Sequence, residues 1–140
     1  MLLRLVMSLK ISAGRSTRGR SRPTLLVVEE EDRLREELRR ALDGEYRIFM
    51  ASNVDEGLKR LRRAKYLDAV LIGVGGEGLE PVGRIRKAQP DLKLFLLSPE
   101  GDGRLAREAF RIRAEGILSK PPDLELLKNM IASRLGISAG

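Results

Sequence analysis

The stretch Leu67-Asp68-Ala69-Val70-Leu71-Ile72-Gly73 decides the fold, because it is a short apolar run that ends at a glycine. Runs of this kind, bounded by polar or glycine-rich sequence, are typical of strands that are buried on both faces. Helical patterns flank it on both sides, so we expect it to lie in the middle of the sheet of an α/β fold. In open α/β sheets the chemistry lies beyond the carboxyl ends of the strands. Here that end is Gly73, which has no side chain to act as nucleophile, base or metal ligand.

The rest of the chain alternates strand-like and helix-like segments. Besides the central run, strands are predicted at residues 24–28, 46–51, 92–98 and 116–119. Apolar residues recur at helical spacing after each strand, as at Leu34, Leu38 and Leu42. The connections between successive strands are each long enough to contain one helix, which favours right-handed βαβ units and a parallel sheet. Five alternations predict a single-domain, flavodoxin-like (βα)5 doubly wound parallel sheet with strand order 2-1-3-4-5.

The net charge of +7 arises mainly from the start of the chain. Residues 1–22 hold six basic residues and no acidic one, whereas the remaining 118 residues hold 21 basic and 20 acidic residues. We predict a disordered basic extension at 1–22, a globular domain at 23–136 and a short tail at 137–140. The alternative for the extension is an arm that binds nucleic acid, anionic lipid or an acidic partner, although it lacks aromatic residues for base stacking.

Composition excludes several kinds of site. The chain has no cysteine, which excludes disulfides, thiolate catalysis and cysteine-based metal sites. It has no histidine, the commonest general base and transition-metal ligand. No apolar run approaches the roughly 20 residues that span a bilayer. We therefore expect a cytoplasmic protein without a membrane span.

In the predicted strand order, the carboxyl ends of strands one, three, four and five surround one crevice. The residues at those ends are Glu29 and Glu30, Gly73, Ser98 and Lys120. This group mixes carboxylates, a hydroxyl and an ammonium around a position that carries no side chain.

At these positions the sequence resembles the receiver domain of bacterial response regulators, from about Pro23 to Leu135. The matching pieces are TLLVVEEED, DAVLIG, LFLLS and ILSKPPD. The resemblance implies that an acidic pair, here Glu29 and Glu30, holds magnesium. It also implies that a hydroxyl, here Ser98, and a lysine before proline, here Lys120, contact a phosphoryl group on an aspartate that ends strand three.

The sequence departs from the family pattern at three points. Gly73 replaces the aspartate that accepts the phosphoryl group, so an aspartyl phosphate cannot form there. The loop after strand three is the short Val74-Gly75-Gly76-Glu77-Gly78, and Ile117 replaces the aromatic switch residue of strand five. With the central carboxylate missing, we expect weak or no magnesium binding at Glu29 and Glu30, and no other cofactor. Simple pairing of these glutamates with Lys120 is the structural alternative.

We predict a stand-alone, non-enzymatic pseudo-receiver of two-component phosphorelay signalling that acts by protein–protein interaction or self-association. The resemblance implies an interaction face on helix four, strand five and helix five. There the sequence offers Phe110 and the arginines Arg107, Arg111 and Arg113. Two alternatives remain: a small protein that binds nucleic acid through its basic arm, and an active receiver with a displaced acceptor. For the latter, Asp68 begins strand three and so lies at the wrong end, and Glu77 lies in a loop. Because Glu30, Ser98 and Lys120 flank the emptied position, Gly73→Asp should restore some magnesium or beryllofluoride binding.

Overall fold

The computed structural model of the protein describes residues 22–64, 66–99 and 103–137. Predictions for residues 1–21, for part of the loop before residue 103 and for residues 138–140 lie outside the described residues. Strands and helices alternate along the described chain: β1 Thr24–Val28, α1 Asp32–Leu42, β2 Arg47–Ala51, α2 Val54–Arg63, β3 Ala69–Gly73, α3 Glu80–Ala88, β4 Lys93–Ser98, α4 Gly103–Arg111, β5 Gly116–Ser119 and α5 Leu124–Leu135.

The sheet has the predicted order, β2-β1-β3-β4-β5, and every strand pair is parallel. The central run forms β3, and its residues 69–72 are buried. In the register, Val28 lies beside Ile72, Gly73 beside Leu97 and Ser98 beside Ser119. The flavodoxin-like fold is therefore confirmed, and the carboxyl ends of β1, β3, β4 and β5 meet at one edge of the sheet.

Alternate side chains of the central strands build two separate cores. Leu26 and Val28 belong to the core under α2, α3 and α4, whereas Leu25 and Val27 belong to the core under α1 and α5. Because successive side chains of a strand point to opposite faces, a continuous apolar run serves both layers. This double burial explains why the predicted strands lack polar alternation.

The helices begin and pack largely as their sequence patterns predict. The Asn53 side chain accepts from the Glu56 backbone N–H at 2.8 Å, and the Glu56 side chain accepts from the Ser52 N–H at 2.6 Å. This reciprocal arrangement caps the start of α2. A proline weakens the interior of a helix, but Pro81 lies in the first turn of α3, where a missing N–H costs nothing.

Helix α4 divides its apolar residues between the core and the surface. Leu105 and Ala109 are buried, but Phe110 is 85% exposed.

Within the described residues, no helix is long and apolar enough to cross a membrane.

Tyr46 precedes β2 and lies wholly inside the core under α1 and α5. Its side chain is 0% exposed, and its hydroxyl has no hydrogen-bond partner among the described residues. Burial raises the pKa of Tyr46 to about 12, and the charge of Glu45 adds to the shift. The folded protein therefore favours the neutral phenol more strongly than the unfolded chain does.

We predict that Tyr46→Phe raises the free energy of unfolding at neutral pH by about 1 kcal/mol, because it removes a buried hydroxyl without a partner. In the wild type, the neutral Tyr46 phenol makes its full contribution to the free energy of unfolding below pH 10, which is the ordinary pKa of tyrosine. It is lost as the pH rises from about 10 to about 12, because the unfolded chain releases the proton first. The gap between variant and wild type should widen by about 1 kcal/mol from about pH 9 to about pH 11. Urea unfolding at both pH values measures it, and a constant gap would contradict the prediction.

Candidate functional site

The end of β1 places a buried carboxylate at the meeting point of the strand ends. Glu29 follows β1 directly and is 2% exposed. Its Oε2 accepts from the Glu31 backbone N–H at 2.9 Å, and its Oε1 lies 3.2 Å from Lys120 Nζ. Oε1 has no hydrogen bond of good geometry within the described chain, so its contact with Lys120 is an ion pair rather than an aligned hydrogen bond. The predicted pairing with Lys120 is thus confirmed for Glu29.

The Glu29 carboxylate lies where a side chain at position 73 would begin. A Cβ atom built on Gly73 would be 1.8 Å from Glu29 Oε1, 2.8 Å from Glu29 Cδ and 3.2 Å from Lys120 Nζ. Atoms cannot approach this closely, so an L side chain at position 73 requires Glu29 to move. The expectation of an empty position at Gly73 was therefore wrong. The missing side chain leaves space that the longer Glu29 side chain reaches from the neighbouring strand.

Lys120 connects three strand ends. Its Nζ also donates to the Val74 carbonyl oxygen at 3.3 Å, and its backbone N–H donates to the Ser98 carbonyl oxygen at 2.8 Å. The lysine side chain is 24% exposed, so it keeps some contact with water while Glu29 does not. Charges that are paired and desolvated in this way hold one another in place.

Arg35, one turn into α1, fixes the backbone from which Glu29 projects. Its Nη1 donates to the Glu29 carbonyl oxygen at 2.9 Å, and its Nη2 donates to Asp32 at 2.6 Å. The guanidinium thereby ties the loop after β1 to the helix that follows. This restraint orients Glu29 toward Gly73.

The two predicted acidic residues have different surroundings. Glu29 is buried, whereas Glu30 is exposed, and Glu30 Oε1 would lie 3.5 Å from a Cβ atom on Gly75. Ser98 is 5% exposed and lies at the end of β4, as predicted. The structure thus gathers Glu29, Ser98 and Lys120 around Gly73 and leaves Glu30 on the rim.

The residues present do not fit a magnesium ion. Magnesium requires a near-octahedral set of oxygens, usually supplied by one or two carboxylates with phosphate and water. Here Lys120 and the Glu31 N–H occupy the Glu29 carboxylate. The described residues contain no group of three or more acidic side chains that could hold a metal ion.

The predicted switch and interaction residues lie on one side of the sheet. Ile117 is half-buried beside Leu96 and packs against the core under α4. Arg107 and Arg111 are exposed on α4 with Phe110. Arg113, which was grouped with them, lies beyond the end of the helix with φ of 61° and donates to the Pro90 carbonyl oxygen at 3.0 Å. Arg113 is therefore engaged with the α3–β4 connection instead of the open face of α4.

Residues 25–132 match the model of the response regulator receiver domain, and they make up more than half of the chain. The chain belongs to the response regulator receiver domain family. Two-component signalling is therefore the process in which this receiver domain takes part.

Two curated relatives are similar over most of the receiver domain. A cyclic di-GMP phosphodiesterase of Thermotoga maritima is 29% identical over 118 residues, which cover 80% of this chain and 31% of the relative. The photosynthetic apparatus regulatory protein RegA of Rhodovulum sulfidophilum is 31% identical over 104 residues, which cover 72% of this chain and 57% of the relative. The chain thus spans about a third of the first protein's length and little more than half of the second's.

Solved receiver structures have the same fold. A response regulator from Thermotoga maritima is 30% identical with a TM-score of 0.73, and the match covers 82% of this chain and 98% of that one. A CheY-like receiver domain protein from Methanospirillum hungatei is 19% identical with a TM-score of 0.74, over 83% and 95% of the two chains. The second likeness concerns the fold only.

The two substitute acceptors considered from the sequence lie in different places, because Asp68 is at the far end of the strands whereas Glu77 is among the residues that line the cavity beside Gly73. Asp68 accepts from the Thr24 N–H at 2.7 Å, at the opposite end of the strands. Glu77 is exposed in the loop after β3. Sequence reasoning allowed for the pairing of Glu29 with Lys120 but missed that the Glu29 carboxylate fills the side-chain space of Gly73. The signal in the sequence was the combination of Glu29, whose side chain is one methylene longer than that of aspartate, with a glycine at position 73.

We predict that Lys120→Met costs more stability than Glu29→Gln. Removing the lysine leaves a carboxylate that is 2% exposed without its counterion, a loss of about 3 kcal/mol in the free energy of unfolding. Glu29→Gln leaves a lysine that still reaches water and keeps an acceptor for the Glu31 N–H, so it should cost about 1 kcal/mol. Chemical denaturation measures both.

The double variant Glu29→Gln/Lys120→Met is the control. It should lose less than the sum of the two single variants, because no buried charge remains. Additive losses would contradict a direct interaction between the two residues.

Proposed function

We propose that this receiver domain is a pseudo-receiver, which signals through protein–protein contacts without accepting a phosphoryl group. The observation that carries the proposal is the Glu29 carboxylate, which lies in the side-chain space of Gly73 and pairs with Lys120. The residues that would contact a phosphoryl group are present, but an internal carboxylate already engages the lysine. The positive charge of Lys120 is therefore already paired with a carboxylate of the protein itself.

Two physical features oppose phosphoryl transfer at this site. Gly73 has no carboxylate to attack phosphorus. The carboxylate that takes its place is 2% exposed, so a phosphodonor has no open approach to Glu29 Oε1. In-line displacement requires the attacking oxygen and the donor to be aligned within contact distance.

The relatives support a signalling role without specifying an activity. The cyclic di-GMP phosphodiesterase is matched over only 31% of its length, so its catalytic activity is not carried over to this chain. Our proposal assigns no catalytic activity to the described domain. Its signalling output would depend on binding.

The proposed contact surface is the face formed by α4, β5 and α5. Phe110 is 85% exposed and Leu126 is 52% exposed, two large apolar side chains in contact with water. Arg107 and Arg111 flank Phe110 on α4, and neither side chain makes an ion pair or hydrogen bond with a described residue. An exposed aromatic between arginines is typical of an anchor in a protein interface.

We predict that wild-type protein incorporates no phosphoryl group from acetyl phosphate and does not bind beryllofluoride with magnesium. Gly73→Asp by itself should gain less than a variant that also shortens Glu29, because the new side chain requires the Glu29 carboxylate to move aside and compete for Lys120. Gly73→Asp/Glu29→Asp should gain both activities, since the shorter acid withdraws from position 73 and frees Lys120. Phosphoprotein mass spectrometry and magnesium-dependent beryllofluoride titration provide the measurements.

Gly73→Asn/Glu29→Asp is the matched control, which has the same shape without the attacking carboxylate. It should not be phosphorylated. A hydroxylamine-labile acyl phosphate on the wild type would overturn the pseudo-receiver proposal and would favour a receiver with a displaced acceptor.

We predict that Phe110→Ser abolishes capture of a specific protein partner from extracts of the organism that produces this protein. The substitution removes the largest exposed apolar side chain of this face. Affinity capture followed by quantitative mass spectrometry compares the variant with the wild type. Glu37→Ser changes an exposed residue of α1, on the other side of the sheet, and should leave capture unchanged. Equal capture by wild type and Phe110→Ser would place the contact elsewhere.

A further inference from the structure

A second surface lies at the opposite end of the molecule from the Glu29 pocket, where α2 ends beside the free edge of the sheet. Strand β2 is an edge strand, with β1 on its other side. A Cβ atom on Gly57 would lie 3.0 Å from Val28 Cγ2 and 4.0 Å from the Ala51 Cβ, so α2 crosses closely over β1 and β2. Because α2 connects two parallel strands, its last turn lies over their amino-terminal ends.

The two flanks of α2 have different neighbours. Asp55 pairs with Arg84 of α3, so the flank of α2 that carries Asp55 faces α3. Glu56 accepts from the Ser52 N–H at the end of β2, which turns the other flank toward the free sheet edge. Arg60 and Arg63 follow Glu56 at helical intervals of four and seven residues, so they lie on that free flank.

Strand β2 contributes to the same side of the sheet. Ile48 and Met50 pack into the core under α1 and α5, whereas Ala51 belongs to the core under α2. Since side chains alternate along a strand, Arg47 and Phe49 face the α2 side. Arg47 is exposed, and Phe49 is 36% exposed although it lies in a strand. We call Arg47, Phe49, Arg60 and Arg63 the α2 edge surface.

The cations of this surface differ from those that end other helices. Arg39 and Arg40 of α1 pair with Glu36, and Arg86 of α3 donates to backbone carbonyl oxygens. By contrast, the guanidinium groups of Arg47, Arg60 and Arg63 make no ion pair within 4 Å and no hydrogen bond with any described residue. A helix dipole favours cations in a last turn, but it does not account for the arginine on the strand or the open aromatic ring.

The basic start of the chain joins the globular domain at this end. Pro23 precedes β1, and its carbonyl oxygen accepts from the Arg47 N–H at 2.8 Å. Arg22 is exposed and is the last of the six basic residues that precede Pro23 in the sequence. Along the sequence, these basic residues therefore lead directly into β1, whose edge neighbour β2 carries Arg47 and Phe49. Close by, both carboxylate oxygens of Asp68 accept hydrogen bonds, from Thr24 and Tyr66.

We propose that the α2 edge surface binds single-stranded nucleic acid. The arginines would pair with successive phosphates, and Phe49 would provide a ring on which a base stacks, the combination that sequence-tolerant single-strand binding requires. An anionic bilayer takes up aromatic rings that project from a surface, whereas Phe49 is 36% exposed and lies within the sheet edge, so single strands fit the arrangement better.

The experiment measures binding of the full chain to a fluorescein-labelled single-stranded DNA of mixed sequence, by fluorescence anisotropy over a series of salt concentrations. For Arg60→Gln/Arg63→Gln, the slope of log K against log salt should fall in magnitude by about 1.4, because two phosphate contacts are lost. At about 0.1 M salt this corresponds to a loss of affinity of about tenfold or more. For Phe49→Ala, affinity should fall about fivefold with an unchanged salt slope.

Arg33→Gln/Arg134→Gln is the matched control, with the same loss of charge at exposed positions of α1 and α5 on the other face of the sheet. It should bind like the wild type. A duplex of the same sequence should compete less well than the single strand, because its bases are already stacked.

Three results would overturn the proposal. If Arg60→Gln/Arg63→Gln binds as tightly as the wild type, the basic start of the chain acts by itself. If the control variant loses as much affinity, the interaction is general charge attraction. If the protein cosediments with phosphatidylserine vesicles but does not bind the oligonucleotide, the ligand is a membrane surface.

Discussion

The ion pair between Glu29 and Lys120 is the constraint on which the carboxyl edge of this sheet depends. It closes the space above Gly73, connects the end of β1 to the end of β5, and holds the loop after β3 through the Val74 carbonyl. Removing either charge leaves the other in a place where water cannot fully replace it. The same contact that stabilises the edge also occupies the position at which a receiver domain performs its chemistry.

The sequence was sufficient for the fold because burial on two faces leaves an unambiguous pattern. The run that became β3 is apolar at successive positions, which suits a strand covered by helices on both sides. Departures were local. Tyr46 was assigned to β2, but it precedes the strand and lies in the core, and Pro81 did not weaken α3 because it lies in the first turn. Both are short-range effects that periodicity does not resolve.

The site was predicted less completely than the fold. The strand order placed Glu29, Ser98 and Lys120 around Gly73, because parallel strand ends meet at one edge. The pattern could not show how far a glutamate side chain extends across that edge, since this depends on three-dimensional distances between neighbouring strands. Nor did it separate Glu29 from Glu30, which are adjacent in sequence but point into the interior and into solvent. Overall charge balance likewise concealed the segregation of cations at the end of α2.

The interlocking of Gly73 with Glu29 has an evolutionary consequence. In the pseudo-receiver that we propose, an acidic residue introduced at 73 by one codon change would also require the Glu29 carboxylate to move aside. Shortening Glu29 first would leave an unfilled space beside a lysine deprived of its counterion. Either change made first would therefore act against the contact between Glu29 and Lys120. On the proposed function, this arrangement would oppose the introduction of an acceptor carboxylate one substitution at a time.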